Sequence, residues 1–208
     1  MSILRHDESD LWKQLERMPN RLRVAFAAAC AQRQVPNYVR FTKAAGQGSP
    51  DVLIGALGCL WDDLLGRKVT ENELRRQLDA CMSVLPDEED FYDGLAYYAE
   101  DAVSAAAYAI RARLSSDVQQ VIWAARRAYE ALDEFVSTEK PDSEAVDQTE
   151  EERNLSHSLV QAELRRQRVD LAQLQKIEGG SISESEGIAE VRRRAQADAG
   201  EFFGAQSE

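Results

Sequence analysis

Apolar residues recur at helical spacing along almost the whole 208-residue chain, and no stretch alternates apolar with polar residues as a half-buried strand does. A chain patterned this way has to bury helical stripes against one another. The expectation is an all-α fold: a single multi-helix bundle with a central Ala/Tyr-rich helix and a long C-terminal helix. The length is enough for a sizeable core.

Caps and breakers punctuate the pattern. Asp7 or Ser9 can cap a first helix carrying Leu11, Trp12 and Leu15. A second helix is expected from about Asn20 to Gln34, with Leu22, Val24, Phe26, Ala29 and Cys30 on its apolar side. Pro36 then opens a third, since proline's missing N–H has no partner in a first turn. Gly46 to Pro50 reads as a turn, after which Ser49 or Asp51 caps a helix through Leu53, Leu57, Leu60, Trp61 and Leu64. Thr70 with Glu73 three residues later has the form of a capping box. Pro86 ends that helix, and the stretch from Asp93 to about Leu114 supplies the central one. Ser116 or Asp117 caps the next.

The organisation expected from these signals is a helical core over residues 1–138, then an acidic linker or helix lead-in over 139–154. That second piece holds seven acids against two bases. A long helix over 155–178 packs on the core, with Leu155, Leu159, Ala162, Val169, Leu171, Leu174 and Ile177 near heptad spacing. Residues 179–208 form a C-terminal extension, partly flexible, with one more helix around Ile188 and Val191.

Charge limits the partners. The formal net charge is −12, and every arginine cluster is flanked by acids, so the phosphate backbone of a nucleic acid is repelled and no nucleic-acid role is expected. A basic protein partner fits the charge, and so does plain solubility. Met1 to Glu8 has no apolar signal core and no stretch approaches the length of a membrane span, so the expected location is cytoplasmic, with no membrane partner. Cys30, Cys59 and Cys81 are widely separated in apolar helical contexts, which reads as buried hydrophobes rather than a disulfide framework or zinc site.

A reactive motif is missing. Neither His6 nor His157 has a glutamate three residues before it, so the pair used in helical di-iron sites is absent. The 46–50 turn lacks the lysine of a phosphate-cradling loop, Ser49 sits in no nucleophile elbow, and no cysteine has a histidine nearby in sequence. The reading is therefore of a non-enzyme, with no catalytic residue, metal or cofactor.

What remains is acidic. Asp62 and Asp63, together with Asp87, Glu88, Glu89, Asp90, Tyr92 and Asp93, make the candidate partner-binding set, extended by Glu100 and Asp101 into one acidic face. Trp61, Tyr38 and Tyr92 are the aromatic anchors such a face would use. The competing explanations are a solvated face for the first pair and helix N-terminal electrostatics for residues 87–90, with Trp61 on the apolar stripe of its helix.

Five landmarks carry a family resemblance: the run Ala25 to Cys30; Val35-Pro36-Asn37-Tyr38 with Phe41; Leu60-Trp61-Asp62; Leu85-Pro86 followed by Asp90-Phe91 and Gly94; and Ala99-Glu100-Asp101-Ala102. In order and spacing these resemble the YjaG-like bacterial family known as domain of unknown function 416, across roughly residues 10 to 178. The resemblance implies an all-helical domain and carries over no reaction, cofactor or catalytic residue. Family members end near a Ser-Asn-Ile-Gly-like segment, whereas Ser185-Glu186-Gly187-Ile188 is followed here by a further charged extension.

The function expected from these features is a protein-binding module, most concretely an immunity protein that neutralises a bacterial toxin such as a basic nuclease. The alternative is a structural or regulatory helical protein, homodimeric through the 155–178 helix.

Overall fold

The computed structural model describes residues 3–87, 94–138 and 149–201, with the side chains of 200 and 201 excepted. Among the described residues there are nine helices and no strand: α1 (Glu8–Arg17), α2 (Asn20–Ala45), α3 (Pro50–Leu64), α4 (Glu71–Met82), α5 (Leu95–Ser115), α6 (Val118–Thr138), α7 (Glu150–Ser156), α8 (Ser158–Glu178) and α9 (Glu184–Glu201). The all-α bundle expected from the periodicity is what forms.

The centre is a pair. Helix α5 is the expected Ala-rich helix, and Ala99, Ala102, Ala105, Ala106 and Ala109 are fully buried, as are Ala25, Ala27, Ala28 and Ala29 of α2. Small side chains on both helices let their backbones approach, and α2 also touches α3, α6, α8 and α9. The tyrosines of α5 lie toward the periphery, with Tyr97 about half exposed. Phe26, Leu22, Trp61 and Leu57 fill the main core around this pair. A smaller apolar cluster (Leu132, Val136, Leu155, Val160, Leu164) closes the end where α6, α7 and α8 meet.

Several local rules hold. Asp7 caps α1, its carboxylate accepting from the Asp10 N–H, and Thr70 caps α4 through the Glu73 N–H. Thr149 and Glu152 complete a reciprocal capping box at α7.

Two expectations are corrected. Pro36 does not open a helix: it sits inside the 26-residue α2. An interior proline costs about 3 kcal/mol, and burial on both sides outweighs that cost, since Arg33 and Gln34 before it and Tyr38 and Phe41 after it are buried. The long helix of 155–178 is also broken. His157 adopts an extended backbone (φ −62°, ψ 141°) between α7 and α8, and its own ring accepts from the Leu159 N–H. Leu155, Leu171, Leu174 and Ile177 of this stretch are buried within the chain, whereas Val169 is half exposed. Beyond it, α9 places Ile188, Val191 and Ala195 in the main core against α2.

The landmark Asn37-Tyr38 proves to be a clamp. The Tyr38 hydroxyl donates to the Val84 carbonyl at 2.8 Å and accepts from the Ser49 N–H at 3.4 Å, tying α2 to the segments after α4 and before α3. Gly48 is required for this. Its φ is +88°, and a Cβ there would meet the Tyr38 hydroxyl and Thr42.

At the far end of α5 the chain ends the helix with Ser116 at φ +60°, in the left-handed region, where a non-glycine residue is strained. Ser116→Gly is expected to stabilise the protein by about 0.5–1 kcal/mol, read as a shift in the midpoint of urea unfolding at unchanged slope.

Candidate functional site

The most heavily organised polar cluster is not on the surface. One turn before Pro36, α2 carries Arg33, whose side chain has no exposed area. Its guanidinium donates through Nε and Nη2 to the two oxygens of Glu163 at 2.8 and 2.9 Å, and through Nη1 to Asp170 at 2.8 Å. Both acids come from the inward face of α8, seven residues and two turns apart. Arg194 of α9 reaches the second Asp170 oxygen at 3.1 Å. Gln167, between the acids, donates to Glu163 at 2.9 Å and to the Ala125 carbonyl of α6 at 3.1 Å. Four helices are thus joined through one buried ionic network.

Electrostatics fix its charge states. Burial opposes the Arg33 charge, and Glu163 and Asp170 override it, so the guanidinium stays protonated. Burial pushes the Asp170 carboxyl above the usual carboxylate range while Arg33 and Arg194 pull it back. Cys30 sits 3.5 Å from Arg33 Nη2, yet burial pushes its thiol up, and Cys81 is pushed up to about 12. Both are thiols at neutral pH, so neither is an activated nucleophile. Among the described residues no group of three or more His, Cys, Asp or Glu could hold a metal ion.

The residues chosen from sequence fare differently. Asp62 and Asp63 follow Trp61 on α3, and both are engaged within the chain. Asp63 takes two hydrogen bonds from Arg113 of α5 at 2.6 and 3.2 Å. Asp62 pairs with Arg67 at 2.9 Å and lies 3.9 Å from Arg192 of α9. Asp87 is exposed, while Glu88, Glu89, Asp90, Tyr92 and Asp93 lie outside the described residues. Trp61 and Tyr38 are core residues with no exposed surface, and Trp61 Nε1 donates to Gln32 at 3.2 Å. Asp101 leaves the expected acidic face: it is buried on α5 and accepts from Arg127 of α6 at 3.0 Å. Burial outweighs that contact, and with Glu130 and Glu100 nearby the carboxyl is raised to about 7.

Sequence reasoning missed Arg33, Glu163 and Asp170. The available signal was charge at positions of the apolar stripe: Arg33 falls three residues after Cys30, and Glu163 and Asp170 share a face with Leu174 and Ile177.

The comparisons with known proteins agree with this architecture. The family described as "Protein of unknown function (DUF416)" matches residues 10–200, and the chain belongs to that family. The match takes in α9, beyond the segment over which the landmarks run. A DUF416 family protein from Shewanella baltica OS155, of known crystal structure, is similar in fold. Its TM-score is 0.74 at 23 % identity, over 88 % of this chain and 92 % of that one. No curated protein matches the chain significantly.

Two outcomes follow from this geometry. Arg33→Met strands the Glu163 carboxylate in the core and leaves Asp170 with Arg194 alone, and is expected to cost about 3–5 kcal/mol in chemical unfolding. Replacing Arg33, Glu163 and Asp170 together with Met, Leu and Leu is expected to cost much less. For Asp101 the folded state holds the proton more tightly than the unfolded chain, so stability is greatest below the unfolded value near 4 and is lost as pH rises to about 7. The loss is on the order of 2–4 kcal/mol. Thermal melts of Asp101→Asn are expected to flatten this decline.

Proposed function

We propose that this chain is a protein-binding module, most concretely an immunity protein that neutralises a basic bacterial toxin. The observation that supports the reading is a group of acids at one end of the bundle that have no ion-pair partner among the described residues, in a chain whose net charge is −12. Where α6 stops and α7 starts, Glu134, Glu150 and Glu151 are exposed around half-buried Asp133. Burial raises the Asp133 carboxyl, and the negative fields of Glu134, Glu130, Glu151 and Glu150 raise it further. A carboxylate that feels mainly other carboxylates marks a region of negative potential reaching into solvent.

This end is a better docking face than Asp62 and Asp63, whose charges are met by Arg67 and Arg113. An acidic surface can occupy a basic nuclease cleft by placing carboxylates where substrate phosphates lie, with association steered by the field. Of the apolar positions that suggested a homodimer, Leu155, Leu171, Leu174 and Ile177 are used inside the single chain, while Val169 is half exposed.

Steering has a kinetic signature. With a basic partner recovered from the native host at low salt, the association rate is expected to fall about 10-fold or more between low and physiological ionic strength. The triple neutralisation Glu134→Gln, Glu150→Gln, Glu151→Gln is expected to slow association while leaving dissociation nearly unchanged. A rate indifferent to both salt and these substitutions overturns the reading.

A further inference from the structure

We propose that the hollow between α1 and α8 binds a small organic phosphate. The hollow has a volume of about 380 Å³, within the range of small-molecule sites. Three bases stand around it: Arg5 before α1, Lys13 on α1 and Arg168 on α8. All three are exposed, and none is in an ion pair among the described residues. Arg33, Arg113 and Arg127, by contrast, each meet a carboxylate. In a chain this acidic, three unmatched bases around one hollow form a local attractor for anions.

Two acids share the lining, Asp7 and Asp10, so three bases stand against two carboxylates, and among the described residues neither acid is in an ion pair with the bases. Asp7 accepts from the Asp10 N–H at 3.0 Å, and Asp10 accepts from the Gln14 amide at 2.7 Å. The choice of anion follows from the cations. Two guanidiniums present planar forks and the lysine a mobile point charge, a combination suited to the several oxygens of a phosphate dianion.

The rest of the lining gives the ligand a body. Leu11, Leu164 and Leu171 are buried residues whose side chains line the hollow, so an apolar group carried by the phosphate finds apolar surface to cover. His6 also lines it. Its ring is stacked on Tyr129 with centroids 5.0 Å apart, and its buried Nε2 has no hydrogen-bond partner, the nearest acid oxygen being that of Glu8 at 3.9 Å. Gln167 completes the lining with its amide already committed to Glu163 and Ala125, so the hollow rests on the Arg33 network. The bundle's acidic end neither requires nor precludes this site, and either reading can fail alone.

Calorimetric titration of the full chain with phenyl phosphate at low ionic strength tests the proposal, with inorganic phosphate and phenol as companions. Saturable binding of phenyl phosphate is expected, at least 5-fold tighter than inorganic phosphate, with none for phenol. Lys13→Gln and Arg168→Gln are each expected to weaken it at least 5-fold with an unchanged circular dichroism spectrum, since both side chains are exposed and unpaired. Lys68→Gln, on the link between α3 and α4, is expected to leave it unchanged. No saturable heat, equal binding of inorganic phosphate, or an equal loss in Lys68→Gln overturns the proposal.

Discussion

A guanidinium with no exposed surface needs carboxylates placed to receive it, and Arg33 imposes that requirement on half the bundle. Glu163 and Asp170 must face inward from α8, which fixes that helix's rotation about its own axis. Arg194 must follow from α9 to meet the second oxygen of Asp170, and Gln167 must bridge to the Ala125 carbonyl of α6. Apolar contacts alone would allow α8 to turn or slide by fractions of a turn at modest cost, because leucine surfaces are tolerant of small shifts. Directed hydrogen bonds to a buried charge are not, since each misplaced partner leaves a charge without compensation. The network therefore contributes register, and the alanine-lined contact of α2 with α5 contributes the close approach on which the core is built.

The chain's acidity is divided by position rather than spread evenly. Where acids face the interior or the joints between helices they are met: Glu163 and Asp170 by Arg33, Asp63 by Arg113, and Asp101 by Arg127. Where α6 gives way to α7 the carboxylates crowd one another. Around the hollow at α1 the bases are left over instead. A net charge of −12 thus resolves into a paired interior, a negative end and a recess carrying three unpaired bases, and the two proposed binding roles fall on the last two.

Much of the fold was legible in the sequence, because caps and helical stripes are local signals. Thr70 and the alanines of α5 were placed by spacing alone, and Asp7 is one of the two caps, with Ser9, that spacing allowed. Pro36 and His157 misled for the same reason: proline signals a helix start and a long apolar stripe signals a continuous helix, but burial around Pro36 and the bend at His157 overrode both. The candidate site was less legible. Asp62 and Asp63 look free in a linear reading, and only the packing of α5 and α9 against α3 brings Arg113 and Arg192 to them. Trp61 is the core residue that its place on the apolar stripe indicated, and Tyr38, offered as an interface anchor, is buried too, each with its polar tip bonded inside the chain.

The sequence by itself determined that the chain is helical, where most helices begin, which stripes are apolar and how much charge the surface carries. Those properties depend on residues within a turn or two of each other. The tertiary structure decided which charges are compensated and which face solvent, and it gathered Arg5, Lys13 and Arg168 around one recess. Coulombic and hydrogen-bond energies depend on distances of a few ångströms between groups more than a hundred residues apart in sequence. No local pattern encodes those distances, and packing alone supplies them.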